Sequence, residues 1–218
     1  MTPTILVIIS GSGTNLQAII DGCNHGEING TISAVISNVP GVKGLERARN
    51  AGIEAVTLDH REFDSREQYD QSLAMLIDQY QPDLLVLAGF MRILTPDFVN
   101  RYLGRLINIH PSLLPKYQGL HTHQRALDSG DKRHGATVHF VTPELDGGPP
   151  IVQGEVAILP DDTESSLARR VQLQIEHHIY PLAIDWCLNK RVQLTESGVT
   201  LDGELLPATG FQYRLTPE

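Results

Sequence analysis

The chain has 218 residues, 41% hydrophobic and 20% charged, the proportions of a soluble globular protein with enough length for one large core. Its formal charge of −9 excludes a general nucleic-acid binder, which needs a basic footprint, yet leaves room for an anionic ligand held by local backbone donors. The two cysteines, Cys23 and Cys187, lie far apart and match no metal or redox spacing, so both are expected as reduced, mostly buried thiols.

Ile5-Leu6-Val7-Ile8-Ile9 is continuously apolar, as expected for a strand buried on both faces. It has neither the basic lead nor the length of a signal peptide or membrane span, so a cytoplasmic location without membrane contact is the default expectation. Ser10-Gly11-Ser12-Gly13-Thr14-Asn15 follows, and Leu16, Ile19, Ile20 and Cys23 then recur at helical spacing. Glycines let such a loop turn its N–H groups inward, and the helix amino terminus adds positive potential, which suits a phosphate better than a plain turn. Neither G-x-G-x-x-G spacing nor a P-loop lysine is present, so no dinucleotide or nucleoside triphosphate is specified.

Ala34-Val35-Ile36 reads as a second strand, Leu45 to Ala51 as a helix ended at Gly52, and Ala55 to Leu58 as a weaker third strand. Tyr69, Leu73, Leu76, Ile77 and Tyr80 mark a helix stopped by Pro82, and Asp83 to Ala88 is again a buried strand. Gly89-Phe90-Met91-Arg92-Ile93-Leu94 is either an apolar pocket rim with one arginine, fit for a flat heteroaromatic ligand with acidic groups, or an ordinary packed loop. A short helix begins near Pro96. In the strand Leu106 to His110, Asn108 and His110 project to one face and Ile107 and Ile109 to the other, with Pro111 ending the run. The β-α repetition predicts a mostly parallel, Rossmann-like twisted sheet with helices on both faces.

After residue 130 the pattern changes. Thr137 to Thr142 and Ile151 to Ile158 read as strands joined by a loop bearing Leu145-Asp146-Gly147-Gly148, an antiparallel extension of the sheet. Leu167, Val171, Ile175, Ile179, Leu182 and Trp186 mark a long helix, capped by Asp162 or Thr163 and kinked at Pro181. On it Gln172, Leu173 and Glu176 share a face near helical spacing, while His177 and His178 read as surface residues. The tail from Arg191 holds two short strand-like runs around Gly198 and Asp202-Gly203. With no repeat, low-complexity tract or linker, residues 1–218 are expected as a single domain.

Asn108, His110 and Asp146 gain weight in combination. An amide, an imidazole and a carboxylate near the carboxyl ends of neighbouring strands are parts for acid–base chemistry with oxyanion stabilisation. His121 and His123, even with His110 and His139, form no recognisable ligand set, so no metal is expected.

Four motifs carry a resemblance: Gly11-Ser12-Gly13-Thr14-Asn15-Leu16-Gln17, Ala88-Gly89-Phe90-Met91-Arg92-Ile93-Leu94, Asn108-Ile109-His110-Pro111-Ser112-Leu113-Leu114-Pro115 and Leu145-Asp146-Gly147-Gly148. Through them residues 4 to 188 closely resemble the phosphoribosylglycinamide formyltransferase family, folate-dependent enzymes of purine biosynthesis. The last two motifs are shared with other formyl-tetrahydrofolate enzymes, whereas the first, with Gly119-Leu120-His121-Thr122, points more narrowly to the glycinamide enzymes. Gln118 stands where relatives often carry proline.

The resemblance implies a formyltransferase fold, with 1–110 as a nucleotide- and phosphate-binding half and 111–218 as a folate-binding and C-terminal part. Asn108, His110 and Asp146 match the catalytic trio. Gly13, Thr14 and Asn15 match the ribonucleotide phosphate site, and Glu176 the helix contacting the amino substrate, where the match requires one extra residue between Arg170 and Glu176. Met91, Arg92, Ile93, Leu94, Asn108 and the loop Thr142, Pro143, Glu144, Leu145 and Asp146 match the folate site, with Arg66 a partner for its acidic part. The implied reaction moves a formyl group from the co-substrate 10-formyltetrahydrofolate to glycinamide ribonucleotide, in a monomer or homodimer without metal. The nearest alternative is formyltetrahydrofolate hydrolase, in which water replaces the amine; that family normally carries an extra amino-terminal domain, whereas here the first strand begins at residue 4. A transfer-RNA formyltransferase would need a further carboxyl-terminal domain and a basic surface. A flavodoxin-type binding module would use the glycine-rich loop but give no reason for Asn108, His110 and Asp146 to occur together.

Overall fold

The structure, a computed structural model, describes residues 2–215. In chain order, β1 (Thr4–Ile9) leads to α1 (Thr14–His25), β2 (Thr31–Ser37) to α2 (Lys43–Asn50), and β3 (Ala55–Thr57) to α3 (Arg66–Tyr80). β4 (Leu84–Leu87), α4 (Pro96–Arg101) and β5 (Leu106–His110) complete the β-α repetition. α5 (Thr122–Asp128), β6 (Arg133–Phe140) and β7 (Pro150–Ala157) follow, then α6 (Glu164–Val171) and α7 (His177–Leu188), separated by a π-helical turn over Gln172–Glu176. β8 (Val192–Thr195), β9 (Gly198–Leu201) and β10 (Glu204–Leu205) form a small antiparallel sheet, and β11 (Phe211–Tyr213) returns to the main one.

The main sheet has eight strands in the order β3-β2-β1-β4-β5-β6-β7-β11. Only β6 pairs antiparallel with its neighbours; every other ladder is parallel. Both faces are covered, which is why the strands are apolar without interruption. Ile5, Val7 and Ile9 pack with α1, α6 and α7, whereas Leu6 and Ile8 pack with α3 and α4 on the other side. Strand order reverses between β1 and β4, so the loops after these two strands flank the crevice where such sheets take ligands.

Several boundaries differ from the sequence expectation. β6 begins at Arg133, because β7 supplies pairing partners down to Ala157, and it ends at Phe140, leaving Thr142 in the loop. The long helix departs from α-helical bonding at Gln172–Glu176, while Pro181 sits inside α7 without interrupting it. Thr163, not Asp162, caps α6; Asp162 instead pairs with Arg170 at 2.5 Å, which holds its carboxyl well below the usual carboxylate range. Cys23 and Cys187 are both free, and burial pushes the Cys187 thiol up to about 12.

Candidate active site

Beyond β1 the chain turns through Gly13, whose φ of 69° is left-handed. A Cβ there would lie 2.7 Å from Gly44 Cα, so glycine alone lets α2 pack against this loop. Arg47 of α2 secures the same loop, donating from Nε to the Ser12 carbonyl at 2.9 Å and from Nη1 to Gln17 Oε1 at 3.2 Å. Sequence reading missed Arg47, whose contact with Ser12 spans 35 residues. Thr14 Oγ1 accepts a bond from Gln172 Nε2 (2.7 Å), and Asn15 Nδ2 donates to Glu176 Oε2 (2.7 Å). Asn15 Oδ1 is enclosed without a partner among the described residues. Gly13, Thr14, Asn15 and Glu176 therefore meet in space, although 161 residues separate Asn15 from Glu176. Burial pushes the Glu176 carboxyl up, opposed by the Asn15 hydrogen bond. Leu173 points to solvent. His177 is half-buried, its Nε2 enclosed and unpartnered among the described residues, contrary to the surface placement expected for it; His178 is exposed beside Tyr213.

Asn108 and His110 lie on β5 with the side-chain alternation expected of a strand, and Asp146 reaches them from the loop after β6. Asp146 Oδ2 lies 3.5 Å from His110 Nδ1 and accepts the Gly119 N–H at 2.9 Å. Asp146 holds a left-handed φ of 49°, and the Gln118 side chain donates to its carbonyl. His110 Nε2 donates to the Tyr117 carbonyl at 2.8 Å, since a carbonyl can only accept. Both imidazole nitrogens thus face acceptor oxygens, and Nδ1 is the one beside the carboxylate.

His139 completes the cluster. Its Nδ1 donates to the Phe140 carbonyl (2.9 Å), which leaves Nε2 free to accept from Asn108 Nδ2 at 3.3 Å. Burial pushes His139 down to about 4, so it is neutral near pH 7. One amide N–H of Asn108 is committed to His139 and the other remains for a ligand. Sequence reading had noted His139 only as a metal candidate; its pairing with Asn108 in the β5–β6 register was the available signal. Among the described residues no group of three or more His, Cys, Asp or Glu is arranged to hold a metal ion.

A cleft opens at this cluster. Arg92, Ile93, Leu94, Asn108 and the loop Thr142 to Asp146 line it, as do Phe90, His139 and Val141, which were not anticipated. Met91 is exposed and His110 is buried behind the lining. Arg66, at the exposed start of α3, is not among the lining residues. Arg92 stacks over the Tyr69 ring at 5.0 Å. The Leu114–Pro115 bond, beneath the cluster, is cis.

A Rossmann-like sheet with a glycine-rich loop at one side of the crevice and an amide, imidazole and carboxylate at the other defines a group-transfer enzyme of the formyltransferase fold. The formyl transferase family profile matches residues 4–184, and the chain belongs to that family. It is 57% identical over 207 residues to the phosphoribosylglycinamide formyltransferase of Escherichia coli strain K12, covering 95% of this chain and 97% of that protein. A human trifunctional purine biosynthetic protein, adenosine-3, is 40% identical over 194 residues, 89% of this chain but 19% of that protein. A solved phosphoribosylglycinamide formyltransferase from Coxiella burnetii superposes with a TM-score of 0.94 at 47% identity, covering 98% of this chain and 100% of its own. Among the described residues no helix is long and apolar enough to cross a membrane.

Proposed function

We propose that this chain transfers the formyl group of 10-formyltetrahydrofolate directly to the primary amine of glycinamide ribonucleotide, a step of de novo purine biosynthesis carried out in the cytoplasm. The observation that carries the proposal is the convergence of Asn108, His110 and Asp146 at the cleft that Asn108 and Asp146 line. The identity to the Escherichia coli enzyme over 95% of the chain supports it. Gly13, Thr14 and Asn15 bind the ribonucleotide phosphate with Glu176 beneath them, and the rim Arg92–Leu94 with the loop Thr142–Asp146 holds the folate. Met91 extends that rim, and Arg66 pairs with the folate's acidic part. Residues 1–110 supply the phosphate-binding half and 111–218 the folate-binding and C-terminal part of one domain.

In the reaction the amine nitrogen forms a bond to the formyl carbon, and negative charge gathers on the formyl oxygen. The free Asn108 N–H donates to that oxygen, and His110 joins it by exchanging the Tyr117 carbonyl for the formyl oxygen as the partner of Nε2–H. Asp146, 3.5 Å from His110 Nδ1, orients the imidazole and accepts the proton the amine must lose. The bond from the formyl carbon to the folate nitrogen then breaks, and the departing nitrogen takes a proton from His110. No covalent enzyme intermediate is needed.

Incubating the protein with 10-formyltetrahydrofolate, with and without glycinamide ribonucleotide, tests this directly. Tetrahydrofolate release that requires the ribonucleotide and yields its formylated product is expected. Release that proceeds equally without it would convert the assignment to the hydrolase.

A further inference from the structure

Ser10 lies where the two sides of the crevice touch, and the reaction steps above give it no part. Past the last β1–β4 pair, Ile8 with Leu87, the ladder continues with Ala88 N–H to the Ile8 carbonyl (2.9 Å) and Ser10 N–H to the Gly89 carbonyl (3.2 Å). Gly89, at φ 74°, then swings the chain away into the rim Phe90–Leu94, and main-chain pairing ends. A side chain takes over there: Met91 N–H donates to Ser10 Oγ at 2.8 Å. The Ser10 hydroxyl passes its own proton to Asn38 Oδ1 at 2.6 Å. Asn38, 2% exposed at the end of β2, is itself fixed, since its N–H reaches the Ile9 carbonyl and its carbonyl accepts His60 Nδ1–H at 2.8 Å. The three groups form a directional chain, Met91 N–H to Ser10 O–H to Asn38 Oδ1, in which each bond polarises the next.

The phosphate side of the crevice is held by other contacts. Gly44 N–H donates to the Gly11 carbonyl at 3.0 Å, and Arg47 holds Ser12. Removing the Ser10 hydroxyl should therefore release the rim while leaving Gly13–Asn15 in place.

We propose that Ser10 is a positioning residue for formyl transfer, setting the folate rim Phe90–Leu94 against the ribonucleotide loop through the Met91–Ser10–Asn38 chain. This rests on the formyl-transfer function proposed above. It predicts a split between substrates. Ser10→Ala raises KM for formyl-folate about five- to tenfold, the size of one lost hydrogen bond, and leaves KM for the ribonucleotide within about twofold. Ser10→Thr keeps the hydroxyl and restores the formyl-folate KM. Hydrogen–deuterium exchange across residues 88–95 provides a measurement that needs no turnover: the segment exchanges faster in Ser10→Ala and at the wild-type rate in Ser10→Thr. A purely structural role would lower the melting temperature and raise both KM values together.

A folded Ser10→Ala enzyme whose formyl-folate KM is unchanged, or rises no more than its ribonucleotide KM, overturns the proposal. So does unaltered exchange of the rim. Failure of the underlying function would look different, since the wild-type protein itself would form no formylated ribonucleotide while the exchange arm still reported on the strut.

Discussion

His139 allows a sharp test because its environment separates a slope from a constant. Its ring is 2% exposed, and burial depresses it from 6.5 to about 4. In the unfolded chain it titrates near its ordinary value. Between those two limits the unfolded state binds a proton that the native state refuses, so stability rises with pH across that window. The contribution is complete above about pH 6.5 and is lost as pH falls through about 4, because this is a histidine kept neutral by burial. Integrated over the window, the depression is worth on the order of 3 kcal/mol, and the local slope approaches about 1.4 kcal/mol per pH unit. The perturbation is His139→Gln, which keeps a polar side chain beside Asn108 but cannot titrate. Urea unfolding at intervals from pH 4.5 to 7.5 gives stability against pH for both proteins. Whatever constant amount the substitution costs, the variant's curve should be flatter by about 1.4 kcal/mol per pH unit in mid-window. Parallel curves would mean that His139 takes up its proton as readily folded as unfolded, and the Nδ1–H tautomer argued for Asn108 would fall with them.

His110→Ala and Asp146→Asn should each lower kcat on the order of 100- to 10,000-fold while leaving ribonucleotide binding by calorimetry within about twofold, because their interactions strengthen in the transition state. Glu176→Gln should raise ribonucleotide KM about tenfold by replacing the carboxyl that holds Asn15. It should not lower stability at pH 8, since a carboxyl whose pKa is raised by burial costs stability once ionised, and urea titration checks the sign. Gly13→Ala, at φ 69° and 2.7 Å from Gly44 Cα, should cost about 1–3 kcal/mol of stability and weaken ribonucleotide binding. Arg47→Met should raise ribonucleotide KM about fivefold with formyl-folate KM unchanged, as expected for loss of a contact that orients only the phosphate loop.

What could be read from the chain follows the range of the interactions involved. Strands buried on both faces write themselves as apolar runs, so β1, β4 and β5 were legible, as was the shared projection of Asn108 and His110. β11 was not, because Phe211–Tyr213 is three residues long and its pairing partner Val152 lies far away in sequence. β6 was read short because Arg133 and Gly135 at its start have little strand propensity; pairing with β7 overrides it. Asp146 was visible through its turn motif, whereas Ser10, Arg47 and His139 take their roles from partners that no local pattern records. Met91 shows the limit from the other side. It belongs to a legible motif, yet its side chain is exposed and its backbone N–H makes the informative contact.

The π-helical turn shows how this chain accommodates a local irregularity without losing its site. An extra residue in a regular α-helix rotates everything beyond it by about 100°. Ile179, Tyr180, Ala183 and Ile184, all fully buried against the sheet, would then leave the core. A single wide turn absorbs the residue instead, so α7 keeps its buried face and only the turn itself changes. Gln172 and Glu176, four residues apart at its two ends, still face the same side. There they meet consecutive residues of the glycine-rich loop, Gln172 at Thr14 and Glu176 at Asn15. The π-helical turn is thus a physical feature of the side of the crevice formed by the glycine-rich loop. Restoring α-helical register by deleting Gln174 would have to turn either the core face of α7 or the Glu176–Asn15 contact away from its partner.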